Sequence, residues 1–344
     1  MKAFLKFEQL LIVVIIFWLT PGSLSGQVQK DSLNGVITFL TGQSDDVKPL
    51  PGGGLFLVGG SSDIDAAVRW FLLKANGGDV VVLRARGGDG YNEYMFKLAP
   101  VNSVETIIID SREKAGLPYV TDKIRNAEAL FISGGDQWNY VKNWKDTPVE
   151  DAINYLINEK KSVVGGTSAG LAILGSAYYS AASGTSLTAV DGVADPYGPN
   201  VDLGADDFLS SVFLKQTITD SHYTQRARQG RHVVMLARLI KDYGYKHAKG
   251  IGIDEETALC IDENGIGTVY GVNDVYFLKA ASAGAEICSS GEKLHWYRRQ
   301  SALKVYRIKG SQEGNGKFDA HNWSFSGGIS FKYYVDQGQL RLRN

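Results

Sequence analysis

The feature that most constrains this chain is a run of six small residues, Gly165-Gly166-Thr167-Ser168-Ala169-Gly170. It lies between the apolar stretch Ser162-Val163-Val164 and the helix-forming stretch Leu171-Ala172-Ile173-Leu174. A strand that ends in Gly-x-Ser-x-Gly and passes straight into a helix is the nucleophile-elbow pattern, in which a sharp turn lifts the serine hydroxyl out of the sheet edge. The glycines and alanine leave room for the bend and for an approaching substrate. The helix that follows aims its free N–H groups at the same point, where they favour developing negative charge.

The surrounding pattern predicts an α/β fold. Gly54 to Gly60 reads as a buried strand ending in a glycine turn. Strands are expected at Val80–Leu83, Val104–Ile109 and Ala129–Ile132, with helices over Asp63–Ala75 and Val149–Glu159. Strands alternating with helices imply a mostly parallel sheet with helices on both faces, and ligands at the carboxyl ends of its strands. Forty glycines suit the many tight turns such a fold needs. Further on, a strand is expected at Val212–Ile218 and a helix over Thr224–Tyr243. Short β-like runs follow at Gly267–Tyr270, Val275–Leu278, Leu303–Ile308 and Ile329–Val335, read as hairpins that finish or flank the sheet.

At 344 residues the chain is long enough to bury a substantial core without metal or disulfide staples. Its 36 basic and 37 acidic residues carry no electrostatic footprint for nucleic acid. Cys260 and Cys288 stand outside any metal-ligand spacing, and the sequence leaves open whether they pair. Lys2 and Lys6 precede the uncharged apolar run Leu10–Leu19, which small residues break at Pro21 to Gly26. This is the form of an export signal, and it is short for a bilayer span of about 20 apolar residues. The expected organisation is a signal peptide over 1–26, a leader over 27–50, an α/β domain over 51–290 and a β-rich C-terminal extension of it over 291–344. The product is then secreted or periplasmic, with no membrane association after cleavage.

A serine hydroxyl needs a base, usually a histidine oriented by a carboxylate. Of the five histidines, His222 follows a predicted strand and so falls at the same sheet edge as Ser168. The acid is open at this level: Asp254 and Glu255 follow a strand end, while Asp220 and the group Asp202, Asp206 and Asp207 are rivals. An oxyanion hole requires two N–H donors. The amide of Ala169 supplies one, and Ser133-Gly134-Gly135-Asp136-Gln137 ends a strand where the other is expected. Arg226, Arg228 and Arg231 follow His222 closely and are suited to forked hydrogen bonds with substrate carboxylates.

Taken together, Phe131 to Gln137, Gly166 to Gly170, Asp220-Ser221-His222-Tyr223 with Arg226, Arg228, Gly230 and Arg231, and Gly250 to Leu259 resemble the cyanophycinase and dipeptidase E-like serine peptidases, family S51, in the order that family has them. The resemblance covers about Gly54 to Ile261. It implies a class I glutamine amidotransferase-like fold, with Ser168 as nucleophile, His222 as base and Glu255 as its partner. It implies oxyanion donors at Ala169 and at Gly135 or Asp136, and substrate contacts at Gln137, Thr167, Arg226, Arg228 and Arg231. The expected activity is acyl-enzyme hydrolysis of aspartyl peptides of the β-Asp-Arg type. The expected partner is an aspartate-rich peptide or polypeptide, with a possible homodimer and with neither a metal nor an organic cofactor implied. Alternatives are an aspartyl dipeptidase, another amide hydrolase on the same site, or a non-catalytic binding protein of the same fold. Leu171 and the turn Gly87-Gly88-Asp89-Gly90-Tyr91 depart from the family pattern.

Overall fold

The computed structural model describes residues 29–31 and 35–344, so the expected signal peptide over 1–26 lies outside the described residues. Two sheets organise the chain. The larger runs, in spatial order, Gln29–Asp31, Ile37–Gly42, Ser103–Ile108, Asp79–Arg84, Ala129–Ile132, Val163–Thr167, Gly54–Val58, Thr257–Asp262, Ile266–Gly271, Asn315–Asp319 and Ser324–Ser326. Its middle, from Ser103–Ile108 to Gly54–Val58, is parallel throughout. These strands are joined by helices, which is how parallel neighbours must be connected. The remaining pairings of that sheet are antiparallel.

The second sheet runs Gln339–Arg343, Ile329–Asp336, Leu303–Lys309, Asp274–Ala280, Lys249–Ile253, Thr217–Asp220, Ala177–Tyr179 and Leu203–Ala205. Its only parallel pairings are those of Thr217–Asp220 with the strands on either side of it. The expectation of a mostly parallel sheet is therefore corrected: both sheets are mixed. Beyond Ile253 no helix separates successive strands, and strands joined without a crossover helix pair antiparallel.

Both faces of the larger sheet are covered. Phe56, Val58 and Phe131 pack with Phe71 and Met95 of the helices Asp65–Leu73 and Asn92–Leu98. Leu55, Leu57 and Ile132 face the opposite core with Ile124, Trp144 and Ile153 from three other helices. Ile251, Phe277 and Ile308 of the second sheet enter that same core. The second sheet's other face is closed by Val233, Leu236 and Leu239 of the helix Gln229–Tyr243. Alternate residues along each strand thus feed different cores, as the two-residue period requires.

Several expected boundaries move. The strand expected at Val212–Ile218 is a short 3-10 turn, Val212–Leu214, followed by a strand at Thr217–Asp220. Gln216, at φ 53°, breaks the extended run between them. The helix expected from Thr224 begins at Gln229, because Asp254 accepts hydrogen bonds from both the backbone N–H and the hydroxyl of Thr224 and holds that stretch as a turn. The helix expected over Val149–Glu159 is α-helical at Pro148–Tyr155 and continues as a π-turn through Lys160. Cys260 and Cys288 are both free and buried.

Candidate active site

Ser168 follows directly on the strand Val163–Thr167 and precedes the helical turn Ala169–Ala172. Its backbone sits at φ 53°, ψ −111°, a region that ordinary residues avoid and that persists only where the surroundings enforce it. The enforcement is local packing. A Cβ on Gly170 would lie 2.1 Å from the carbonyl oxygen of Ile132, and the Ser168 N–H is fixed by the carbonyl of Val58 at 3.1 Å.

His222 comes from the other sheet, just beyond Thr217–Asp220. Its N–H donates to the carbonyl of Gly59 across the gap between the sheets, at 2.9 Å. Its Nε2 is 2.7 Å from the Ser168 hydroxyl and its Nδ1 is 2.7 Å from Oε1 of Glu255. This pattern assigns the Nδ1–H tautomer, donating to Glu255 and leaving Nε2 free to accept from Ser168. Glu255 occupies the link where the chain leaves the second sheet at Ile253 and enters the larger sheet at Thr257. The imidazole is packed against Gly60, whose φ is +103° and on which a Cβ would stand 2.4 Å from His222 Cε1. Burial lowers the pKa of His222 below its ordinary value, the nearby cations Arg226 and Arg228 lower it further, and Glu255 opposes them. A neutral imidazole is the form that accepts a proton.

The rival acids are engaged elsewhere. Asp220 is buried and takes two hydrogen bonds from Arg231, from Nε at 2.8 Å and Nη2 at 2.5 Å. Asp254 is buried against Thr224, Asp202 accepts from the Ser180 hydroxyl, and Asp207 pairs with Lys145 at 3.2 Å.

The three expected arginines part company. Arg231 is 2% exposed and spent on Asp220, so it faces inward rather than toward open space. Arg228 is half-buried and donates to the carbonyl of Ser221 at 2.8 Å and to Asp220 at 3.3 Å. Burial brings its pKa down to about 10. Arg226 is exposed, with Nε 4.0 Å from Glu255. Gln137 opens the helix Gln137–Trp144 and reaches the carbonyl of Tyr179 at 3.4 Å. Thr167 is buried at the strand end below Ser168. Gly134 abuts Ser168, Gly135 is exposed, and the Asp136 carboxylate caps the helix by accepting from the Trp138 N–H at 3.0 Å. The Asp136 carboxylate is thus committed to the helix terminus.

Two supporting residues are invisible to motif reading. Gln225 accepts from the Glu255 N–H at 3.0 Å, and Asn273 donates to the Glu255 carbonyl at 2.9 Å. Asn273 immediately precedes the strand Asp274–Ala280, and only that strand's antiparallel pairing with Lys249–Ile253 brings it to Glu255. No local pattern marks it.

The sequence model of peptidase family S51 matches residues 103–269, the stretch that carries Ser168, His222 and Glu255. The chain resembles this family over that stretch. It is a serine-type peptidase. Similar proteins include the cyanophycinase of Trichormus variabilis (strain ATCC 29413 / PCC 7937), 26% identical over 233 residues, 62% of this chain and 72% of that protein. Another is the cyanophycinase of Synechococcus elongatus, 30% identical over 182 residues, 53% of this chain and 51% of that one. Among solved structures the peptidase is similar to a peptidase from an acI-B1 Actinobacterium, with 17% identity and a TM-score of 0.47, covering 67% of this chain and 91% of that one. A putative peptidase E protein from Listeria monocytogenes EGD-e gives 17% identity and a TM-score of 0.39, covering 64% and 100%.

Proposed function

We propose that the peptidase hydrolyses aspartyl peptides of the β-Asp-Arg type by an acyl-enzyme mechanism, with Ser168 as nucleophile, His222 as base and Glu255 as the group that orients it. The observation that carries this reading is the unbroken series of 2.7 Å contacts from the Ser168 hydroxyl through both ring nitrogens of His222 to Glu255. Nε2 takes the hydroxyl proton as Oγ bonds to the substrate carbonyl carbon, and Glu255 stabilises the imidazolium that forms. The carbonyl oxygen becomes an oxyanion, for which the Ala169 amide and one from Gly135 or Asp136 are the donors in this reading. When the C–N bond breaks, the imidazolium passes its proton to the leaving amine. Water then attacks the ester with His222 again as base, and Ser168 recovers its proton. Each oxyanion donor is worth about 3 kcal/mol of barrier.

The similarity to cyanophycinases supports the substrate class, and Arg226 is an exposed cation beside Glu255 for a substrate carboxylate. The five parallel strands with Ser168 at their carboxyl ends support a class I glutamine amidotransferase-like arrangement. In the same reading residues 1–26 direct export, 27–50 lead into the domain, 291–344 extend it, and the mature chain forms a homodimer. Sequencing of the mature N-terminus and sedimentation test the export and the pairing. The activity is tested by mass spectrometry of products after incubation with cyanophycin. Release of β-Asp-Arg dipeptides by the wild type and none by Ser168→Ala is expected, and cleavage of aspartyl dipeptides alone would replace this substrate with a smaller one.

A further inference from the structure

The second sheet carries a line of basic residues in direct cross-strand register. Lys249 lies opposite Lys279, Lys279 opposite Lys304, Lys304 opposite Lys332, and Lys332 opposite Arg343. Residues directly opposite one another point to the same face. With strands about 4.8 Å apart, five cations therefore form a single file roughly 19 Å long. Among the described residues none of the five has a carboxylate within ion-pair distance; the ion pairs of this region lie elsewhere. Like charges directly opposite each other destabilise a sheet. Lysine on an exposed edge strand guards against unwanted pairing, but Lys249, Lys279 and Lys304 sit on interior strands, where that purpose is absent.

The file borders open space. A cavity of about 720 Å³ is lined by Lys215, Lys249, Lys279, His247 and His321, with Asp206 as its one carboxylate. A second, of about 520 Å³, takes in Lys279 and Lys304 and has no acidic lining residue. Lys249 is half-buried, and burial together with Lys279 lowers its pKa.

We propose that this file of cations is a docking track for an extended acidic polypeptide. Its identification with the aspartate-rich substrate rests on the function proposed above. An extended chain advances about 3.3 Å per residue, so some six residues span the track. The flexible lysine stems absorb the difference between strand spacing and side-chain spacing. The file is one cation wide, which fits a single thin chain better than a duplex or a bilayer. Single-stranded nucleic acid would need free aromatic faces for its bases. The aromatic rings beside the track are already engaged: Tyr306 stacks on Phe325 at 4.8 Å, and Lys249 lies over Trp323 at 4.9 Å. A membrane surface would call for apolar side chains on the same face. The exposed Ile329 and Leu342 stand on the opposite face, out of step with Lys332 and Arg343.

Lys249 begins the strand whose far end leads to Glu255, so the track lies about 20 Å from the site. Only a polymer reaches both at once, and doing so gains affinity by raising its effective concentration at the site.

The test uses the full chain carrying Ser168→Ala and a fluorescently labelled oligo-aspartate at low salt. Replacing Lys249, Lys279, Lys304 and Lys332 by Gln is expected to weaken binding at least tenfold and to flatten its salt dependence. The same four substitutions should leave the unliganded protein as stable as before, or more so, in thermal unfolding at low salt. In the Ser168-containing protein they should raise the KM for the polymer about tenfold relative to that for a short aspartyl peptide. Should the fourfold variant fail to fold, Lys304→Gln with Lys332→Gln alone should weaken oligo-aspartate binding several-fold. A change under twofold in the folded variants overturns the proposal. So does tighter binding of a single-stranded oligonucleotide or of phosphatidylglycerol vesicles through the same lysines. Loss of oligo-aspartate binding in the variants, from a protein that cleaves no aspartyl peptide, would retain the track and overturn the proposed activity instead.

Discussion

Oε1 of Glu255 lies 2.7 Å from Nδ1 of His222, and the two residues reach that distance from the ends of adjacent parallel strands in the second sheet. Ser168, 2.7 Å from the other ring nitrogen, follows a strand of the other sheet. The alignment of the three side chains therefore depends on how two sheets are seated against each other, and the hydrogen bond from the His222 N–H to the Gly59 carbonyl is one of the ties that sets it.

Ser168→Ala is expected to remove turnover, and Glu255→Gln to lower kcat by about 10⁴-fold, the drop that follows when an imidazole loses its orienting carboxylate. Both variants should fold normally, since both side chains are only part-buried. Steady-state kinetics with an aspartyl peptide, alongside circular dichroism, check this.

The acid limb of kcat/KM is expected below pH 6.5, because burial and the arginines lower the pKa of His222. Activity should rise with pH as the imidazole loses its proton and level off once it is neutral. Arg226→Ala removes one of the lowering charges, so the limb should move to higher pH. A pH–rate profile of the two proteins reads this directly, and an unmoved limb would mean that Arg226 does not act on His222.

Gly60→Ala places a methyl group 2.4 Å from the imidazole at a backbone φ of +103°. The ring must shift. A displacement of about 1 Å costs on the order of 100-fold in rate, with about 1–3 kcal/mol lost to backbone strain. The expected signature is a fall in kcat that outweighs the fall in melting temperature.

Asp220→Asn leaves the guanidinium of Arg231 buried with its charge unmatched, which typically costs about 3–5 kcal/mol. Denaturant unfolding measures it. Burial by itself would raise the Asp220 pKa, but Arg231 beside it prevails and brings it to about 2. The folded-state value lies below the ordinary 3.8, so the ion pair's contribution is fully present above pH 3.8 and is lost as pH falls through about 2. The stability of Asp220→Asn should correspondingly depend less on pH across that window.

Much of this was legible in the chain itself. The strand Ala129–Ile132 coincides with its expected bounds, and the C-terminal runs form strands where alternation places them. The small-residue turn around Ser168 has the strained backbone its glycines imply. Such features arise from interactions a few residues apart, so a linear reading captures them. The onset of the helix at Gln229 escaped that reading because a carboxylate thirty residues away, Asp254, holds Thr224 in a turn.

Which acid meets His222 was decided by the tertiary structure. Asp220, Asp254 and Glu255 are the same chemistry at neighbouring strand ends, and only the packing of the two sheets turned one toward His222 and the others toward Arg231 and Thr224. The same holds for the cation file, whose members are spread from Lys249 to Arg343 and are aligned by strand register alone. Local propensity and turn chemistry act along the chain and are written in it. Which remote side chains meet is decided by how buried surfaces fit, and that fit exists only in the folded molecule.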